Sequence, residues 1–192
     1  RFLGVWDTVA ALGIPIEPLD AFISLFPRLR HEFHDLSLSD SVEHARHALA
    51  IDDERLLFHP TLWNREVAGH QTMKQVWFCG MHSDVGGGYR EQELSDIPLT
   101  WMIQEATEQG LRIFPRHRVI PNPDPDGTMH DSSSVVFRKR VRSWDAERRG
   151  KPTVHQSVLM RKRDRNNNDS PPYDPWILRT EYDVEPWPGH TL

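Results

Sequence analysis

The sequence predicts an α/β fold with an open sheet whose strands are covered by helices. Two apolar runs, residues 2–6 and 75–80, lack the alternation of apolar and polar residues that marks half-exposed strands. Such runs are typical of strands buried on both faces. A glycine-rich turn follows the second run and a periodic helix follows the turn, which is the local order of elements in an open α/β sheet.

The helix after the glycine-rich turn is the most clearly marked element. Ser95 or Asp96 can cap its N-terminus, and Gly110 provides its C-terminal stop. Its apolar residues recur at i, i+3, i+4 and i+7, which predicts a helix with one buried face. These residues are Leu99, Met102, Ile103 and Ala106.

The other segments carry weaker patterns. Residues 10–30 contain three prolines and predict a loop with a short helical piece. Residues 41–50 predict a second helix, because three apolar side chains share one helical face. These side chains are Val42, Ala45 and Leu49. Beyond residue 111 lie ten of the 15 prolines, and this part of the chain predicts loops with one strand at residues 134–137.

Composition narrows the class of protein. The 192 residues fit one domain or most of one, with 38% hydrophobic residues, 27% charged residues and a net charge of -5. No apolar run approaches the roughly 18 residues that a membrane span needs. Cys79 is the only cysteine, so an internal disulfide is excluded, and its apolar neighbours predict a buried side chain. Cytoplasmic synthesis is expected, and later export is compatible with it.

Basic residues are concentrated late in the chain. Between residues 138 and 165 lie 11 of the 23 lysines and arginines, against three acids. Such a stretch suits an anionic surface, and an ordinary solvated face is the plainer interpretation. An anionic membrane surface stays open as an alternative partner of this stretch, and no nucleic-acid partner is predicted.

Two polar residues stand where predicted strands end. Asp7 follows the first apolar run, and His82 follows the second. Functional groups of open α/β sheets gather at the carboxyl ends of the strands. A carboxylate and an imidazole brought together there can act as orienting group and general base. Two alternatives stay open: an aspartate after a strand is often a turn former, and the histidine could be a hydrogen-bonded loop residue.

The segment after His82 supplies further candidates. Asp84 is predicted either to hold the loop that carries His82 or to form an Asx-type turn. The glycines Gly86, Gly87 and Gly88 allow close approach of substrate or backbone. This segment lacks the Gly-x-Gly-x-x-Gly spacing and the lysine of phosphate-binding loops, so nucleotide binding is rejected.

Histidine pairs raise the question of a metal. His31 and His34 are three residues apart, which fails the metalloprotease spacing of four. His44 and His47 share a face of the helix predicted over residues 41–50 and could bind a metal, although packing is the commoner reason for such a pair. No metal and no cofactor is predicted.

Two long stretches resemble a known family. Residues 2–9, FLGVWDTV, and residues 76–89, VWFCGMHSDVGGGY, are similar to the DUF2235 family, which includes the Tle1-type phospholipase effectors of type VI secretion. The likeness continues in shorter stretches to about residue 163. These stretches are FHD at 33–35, VEHA at 42–45, HALAIDD at 47–53, LSDI at 94–97, MHDS at 129–132 and HQSV at 155–158.

The resemblance implies an α/β-hydrolase fold and a Ser-Asp-His triad that cleaves ester bonds. Asp7 and His82 match the family's aspartate and histidine. The family's Gly-x-Ser-x-Gly elbow does not occur in this sequence, and Ser83 lacks its glycine frame. We therefore expect the serine and the oxyanion-hole amides N-terminal to Arg1, in a missing part of the same protein.

The expected organisation follows from this resemblance. Residues 1–110 are predicted to be the C-terminal part of the catalytic domain, and residues 111–192 a loop-rich, proline-rich extension packing on it. The expected function is a carboxylic ester hydrolase, lipase- or phospholipase-like, whose substrate is a lipid or another ester and whose export by a secretion system is compatible with the sequence. Alternatives are an inactive binding or scaffolding module and a metal-dependent hydrolase. No physical role is evident for His130, Asp131 or His155.

Overall fold

The computed structural model describes residues 1–9, 37–64, 67–113, 121–131, 139–164 and 172–188. Five strands in these ranges form one open sheet in the order β1-β2-β3-β4-β5, and every pair of neighbours is parallel. The predicted α/β class is therefore confirmed. The strands are β1 (Phe2–Trp6), β2 (His44–Ala50), β3 (Thr72–Phe78), β4 (Thr153–His155) and β5 (Asp183–Glu185).

Helices lie between the strands. They are α1 (His82–Gly86), α2 (Asp96–Glu108), α3 (Ala146–Arg149) and α4 (Gln156–Asp164), with 3₁₀ turns at Leu56–Phe58 and Trp176–Arg179. The predicted periodic helix is confirmed as α2. None of the helices in the described ranges is long and apolar enough to cross a membrane.

The register of the sheet brings three strand ends close together, with β1 ending two residues before β2 and β3. Trp6 pairs with Ala48 in β2, and Ala50 pairs with Phe78 in β3. The chain segments that follow β1, β2 and β3 therefore leave the sheet side by side at its carboxyl edge. The groups predicted to carry chemistry follow β1 and β3, so this register decides whether they can meet.

The sheet has a core on each face, which explains why its strands do not alternate in polarity. Side chains alternate between faces along a strand, and both faces of β2 and β3 are buried. One cluster consists of Ala48, Ala50, Val76, Phe78, Val85, Leu94, Ile97, Trp101 and Met102. The other consists of Leu49, Ile51, Trp77, Cys79, Val154, Val158, Tyr173 and Ile177. The predicted burial of Cys79 is confirmed.

The helix predicted over residues 41–50 is wrong, because His44–Ala50 is strand β2. Its alanines favour a helix in isolation, but β2 lies between β1 and β3 and gains a ladder of hydrogen bonds on each side. A strand buried on both faces has no polar side. In such a strand some apolar residues fall at helical spacing by chance. The pairing of β2 with β1 and β3 outweighs the helix propensity of its residues.

The remaining predictions concern the loops, the glycine-rich turn and the part of the chain beyond residue 111. The loop at residues 10–30 and the strand at residues 134–137 lie outside the described residues. The glycine-rich turn begins as helix α1 rather than as an open loop. Beyond residue 111 the chain supplies β4 and β5 to the same sheet, and the division of the chain at residue 110 stays a prediction.

Candidate functional site

Asp7 leaves β1 in an unusual backbone conformation. Its φ is 40°, in the left-handed region that non-glycine residues seldom adopt. Its N–H donates to the Ala48 carbonyl at 2.6 Å, and the next amide, that of Thr8, donates to His47 Nε2 at 3.1 Å. These two bonds fix the strand end, and they turn the Asp7 side chain across the edge of the sheet toward the segment after β3.

His47 is a neutral acceptor beneath this strand end. Burial lowers the pKa of His47 to about 4, so its Nε2 keeps the lone pair that accepts the Thr8 N–H. Its ring also lies 5.0 Å from that of Trp63, measured between centroids. His47 thus helps to hold Asp7 in its strained conformation.

The Asp7 carboxylate is fully buried and fully engaged. Oδ1 accepts the Ala50 N–H at 2.9 Å and Arg142 NH1 at 2.6 Å. Oδ2 accepts Arg142 NH2 at 2.9 Å and lies 2.8 Å from His82 Nδ1. Burial by itself raises the pKa of Asp7, but the hydrogen bonds from His82 and Arg142 and the Arg142 charge outweigh it and hold this pKa below its usual range.

His82 is the first residue of α1, and its side chain is 29% exposed. Nδ1 faces Asp7, and the ring meets Phe58 edge-on at 5.3 Å between centroids. The His82 N–H donates to Asp53 Oδ2 at 3.2 Å. Asp53 in turn forms an ion pair with Arg55 at 2.6 Å. A proton on Nδ1 leaves the lone pair on Nε2, and no partner for Nε2 occurs among the described residues.

The turn before His82 depends on Gly80 and Asp52. Gly80 has φ +112°, and a Cβ at this position would lie 2.4 Å from the Asp84 Cβ, so only glycine fits. Asp52 Oδ2 accepts the Gly80 N–H at 2.6 Å and the Tyr173 hydroxyl at 2.8 Å. Burial raises the pKa of Asp52 to about 6.

Asp84 forms a second carboxylate–histidine pair close to the first. Its Oδ2 accepts the Met81 N–H at 2.9 Å and the His130 N–H at 3.2 Å. Its Oδ1 lies 2.7 Å from His130 Nδ1. The His130 ring stacks on Tyr89 at 3.7 Å between centroids, and its Nε2 lies 3.4 Å from Glu91. Asp84 therefore ties the turn before His82 to the segment around His130, and its role there stays a prediction.

The three glycines end α1. Gly86 is the last helical residue, and Gly87 and Gly88 have φ of +86° and +119°. A Cβ added to Gly87 or Gly88 would meet no atom within 4 Å. Their left-handed backbone is the reason for glycine there, and close packing is not. His155 lies elsewhere, buried against Phe78 with its pKa lowered to about 3 by burial.

One of the two histidine pairs considered as metal ligands does not have the geometry that the sequence predicts. His44 and His47 lie on a strand and are three residues apart, so they point to opposite faces of β2. Their predicted shared helical face is wrong. His31 and His34 lie outside the described residues. Within the described ranges no group of three or more His, Cys, Asp or Glu side chains is arranged to hold a metal.

The site contains residues that sequence reasoning missed. Arg142 belongs to the basic stretch predicted to face solvent or a membrane, yet Arg142 and Arg161 are buried. No local pattern marks Arg142, because its contacts with Asp7 span 135 residues of chain. Asp52 and Asp53 follow a strand end, and the rule that found Asp7 and His82 would have found them had β2 been recognised as a strand.

These features define an α/β protein in which a buried aspartate contacts a partly exposed histidine at the carboxyl edge of a parallel sheet. The sequence model of one family, T6SS, Phospholipase effector Tle1-like, catalytic domain, matches residues 1–105. This range covers more than half of the chain, and the chain belongs to that family. Searches for similar curated proteins and similar solved structures gave no significant match.

Proposed function

We propose that Asp7 and His82 are the orienting carboxylate and the general base of a Ser-Asp-His triad that hydrolyses carboxylic ester bonds of phospholipids. The observation that carries the proposal is the 2.8 Å contact between His82 Nδ1 and Asp7 Oδ2. It is supported by the absence of any described partner for His82 Nε2, which leaves this nitrogen for a proton transfer.

The chemistry follows from this arrangement. A neutral His82 with its proton on Nδ1 takes the serine proton through Nε2 as the serine oxygen attacks the ester carbonyl. Buried Asp7 holds the ring in that tautomer and stabilises the imidazolium that forms. His82 then gives the proton to the leaving alcohol, and the acyl-enzyme is hydrolysed by water in the same two steps.

The proposed triad also needs a nucleophilic serine, which the contacts described above do not include. No Gly-x-Ser-x-Gly motif occurs in the 192 residues. Ser83 is next to His82 in the first turn of α1, and it lacks the strand-to-helix elbow that exposes a nucleophile. We therefore propose that the nucleophile and the oxyanion-hole amides lie upstream of Arg1 in the same protein.

The family supports the substrate class and the destination of the protein. Membership in a phospholipase effector family supports a lipid ester as substrate and export through a type VI secretion system. The basic stretch is a weaker support for membrane contact than its composition predicts, because Arg142 and Arg161 are buried. Its exposed cations include Lys151 and Lys162, each of which has an acidic partner.

The test uses the intact protein that contains this chain. Vesicles of phosphatidylethanolamine and phosphatidylglycerol serve as substrate, and released fatty acid and lysolipid are quantified. A fluorophosphonate probe measures activation of the serine independently of lipid binding. His82→Gln should lower both the hydrolysis rate and the labelling rate by about 10³-fold or more, because the general base is lost.

His130→Gln is the matched control, since His130 also faces a buried aspartate through Nδ1 at 2.7 Å. This variant should keep the hydrolysis rate within about threefold of the unmodified protein. Equal losses in the two variants, or a fully active His82→Gln protein, would remove His82 as the base. An intact protein that binds the vesicles without hydrolysis would favour the inactive binding module.

A further inference from the structure

Arg142 reaches the Asp7 carboxylate from a distant part of the chain. Its NH1 and NH2 donate to Oδ1 and Oδ2 at 2.6 Å and 2.9 Å. Two parallel bonds of this kind fix the plane of a carboxylate as well as its position. The range that matches the family ends at residue 105, so Arg142 brings to the Asp7–His82 pair a contact from beyond that range.

All five N–H donors of the Arg142 guanidinium have acceptors. Nε donates to the Asp53 carbonyl at 2.7 Å, NH1 also donates to the Ala50 carbonyl, and NH2 also donates to the Phe58 carbonyl at 2.5 Å. A guanidinium offers five donors in a fixed fork, whereas an ammonium offers three. Arg142 is 2% exposed, and Asp7 is the only acid in ion-pair contact with it within the described ranges.

Several charged or titratable groups lie on the segments that contact His82 or flank it in the chain. Two of these groups form ion pairs that do not include Asp7 or His82. Arg55 pairs with Asp53, and Asp84 pairs with His130. His47 stays neutral. The described groups are Asp7, His47, Asp53, Arg55, Asp84 and Arg142. Arg142 is the cation of this set that shares the Asp7 carboxylate with His82.

We propose that Arg142 is a positioning residue, which fixes the Asp7 carboxylate against His82 and offsets its negative charge, so that His82 is a weaker base than a lone Asp–His pair would make it. A lone carboxylate beside an imidazole favours the protonated ring. A guanidinium on the same carboxylate makes the pair nearly neutral and removes part of that effect.

The first experiment measures the titration of His82 without reference to catalysis. The intact protein is labelled for histidine Cε1 resonances, and the His82 resonance is assigned by its loss in His82→Gln. Arg142→Met should move the midpoint of the His82 titration upward by about one pH unit. Arg142→Lys keeps the charge and should move it by less than half as much. Arg179→Gln, which removes an exposed arginine paired with Asp174, should not move it.

A double variant keeps the test decisive if Arg142→Met does not fold. Asp7→Asn together with Arg142→Met removes both charges of the pair, so no buried charge is left alone. The His82 midpoint should then stay within about half a pH unit of the unmodified protein, because a neutral pair replaces a nearly neutral ion pair. If Arg142 had no effect on His82, the midpoint would fall by about one unit or more, since only the loss of Asp7 would count.

The second measurement is the pH dependence of ester hydrolysis, and its interpretation rests on the proposed function. In the intact protein, the acidic limb of the pH–rate profile should move upward in Arg142→Met, whereas Arg142→Lys should lower kcat and move the limb by less than half as much. An unchanged His82 midpoint in a folded Arg142→Met protein overturns the inference. A moved midpoint in a protein without ester hydrolysis keeps the inference on Arg142 and overturns the proposed function instead.

Discussion

The described part of the chain contains two Asp–His pairs near the carboxyl edge of one sheet, and they differ in what surrounds the histidine. In both, the imidazole Nδ1 meets a buried carboxylate, at 2.8 Å in Asp7–His82 and 2.7 Å in Asp84–His130. The far side of His130 is occupied, because its ring stacks on Tyr89 and its Nε2 lies 3.4 Å from Glu91. The far side of His82 has no described polar partner.

The carboxylates differ as well. Asp84 accepts two backbone N–H groups, from Met81 and His130, and thereby joins two segments of chain. Asp7 accepts one backbone N–H and a bidentate guanidinium from Arg142, and its own backbone is strained at φ 40°. Strained backbone and a saturated buried charge occur where the surrounding structure fixes a group for a task. A short Asp–His contact alone therefore does not separate the proposed catalytic pair from a bracing pair, whereas an Nε2 without a partner among the described residues does.

The largest expected difference between the pairs is in catalysis. Asp7→Asn should lower the ester hydrolysis rate of the intact protein by about 10²- to 10⁴-fold, since an amide stabilises neither the required tautomer nor the imidazolium. Asp84→Asn should lower it by less than about tenfold, because this side chain acts on the turn before His82 and touches no reacting atom. Initial rates on phospholipid vesicles at saturating substrate measure both variants. Equal losses would mean that the bracing pair is also needed for the chemistry.

A second difference concerns folding stability. Asp7→Ala leaves the Arg142 guanidinium buried without an anion and should lower the free energy of unfolding by about 3–5 kcal/mol. Adding Arg142→Met should recover part of this loss, because the orphaned charge is removed. Urea denaturation of the single and double variants measures the coupling. A double variant that is less stable than Asp7→Ala would show that Arg142 stabilises the fold through its carbonyl contacts more than through Asp7.

The sequence predicted this comparison only in part, for physical reasons. The pattern of turn and helix predicts α2 from local chain signals. The carboxyl-edge rule makes Asp7 and His82 candidates only, and the family resemblance is what favours them over a turn former and a loop residue. The sequence of strand β2 predicts a helix, because burial on both faces removes the alternation that identifies strands, and the acids after β2 therefore do not stand out as strand-end residues. Arg142 and the His130–Asp84 contact were not predictable, as each depends on tertiary proximity across many residues.

Asp52 is a third carboxylate at this edge of the sheet, and its effect on stability should depend on pH in the opposite direction to that of Asp7. The pKa of Asp52 is raised to about 6 by burial, so the stability tied to its protonated form is complete below the unfolded value near 4 and is lost as pH rises through about 6. The pKa of Asp7 is lowered, so its contribution is complete above pH 4 and is lost on acidification. Asp52→Asn should therefore gain about 1–3 kcal/mol relative to the unmodified protein at pH 8 and about half as much at pH 5. Thermal or urea unfolding at the two pH values measures this change, and a gain that is the same at both contradicts it.

The smallest expected effect is on stability, and it tests whether the neighbours of the Asp84–His130 pair have only a structural role. Tyr89→Leu removes the ring that stacks on His130 at 3.7 Å between centroids, and should cost about 0.5–1.5 kcal/mol of stability. The matched change at the other pair is Phe58→Leu, which removes the edge-on contact with His82 at 5.3 Å. Because His82 is the proposed base, Phe58→Leu should also lower the hydrolysis rate, whereas Tyr89→Leu should change stability alone. A rate loss in Tyr89→Leu that equals that of Phe58→Leu would place both histidines in one functional unit, and the distinction drawn from the free Nε2 would then fail.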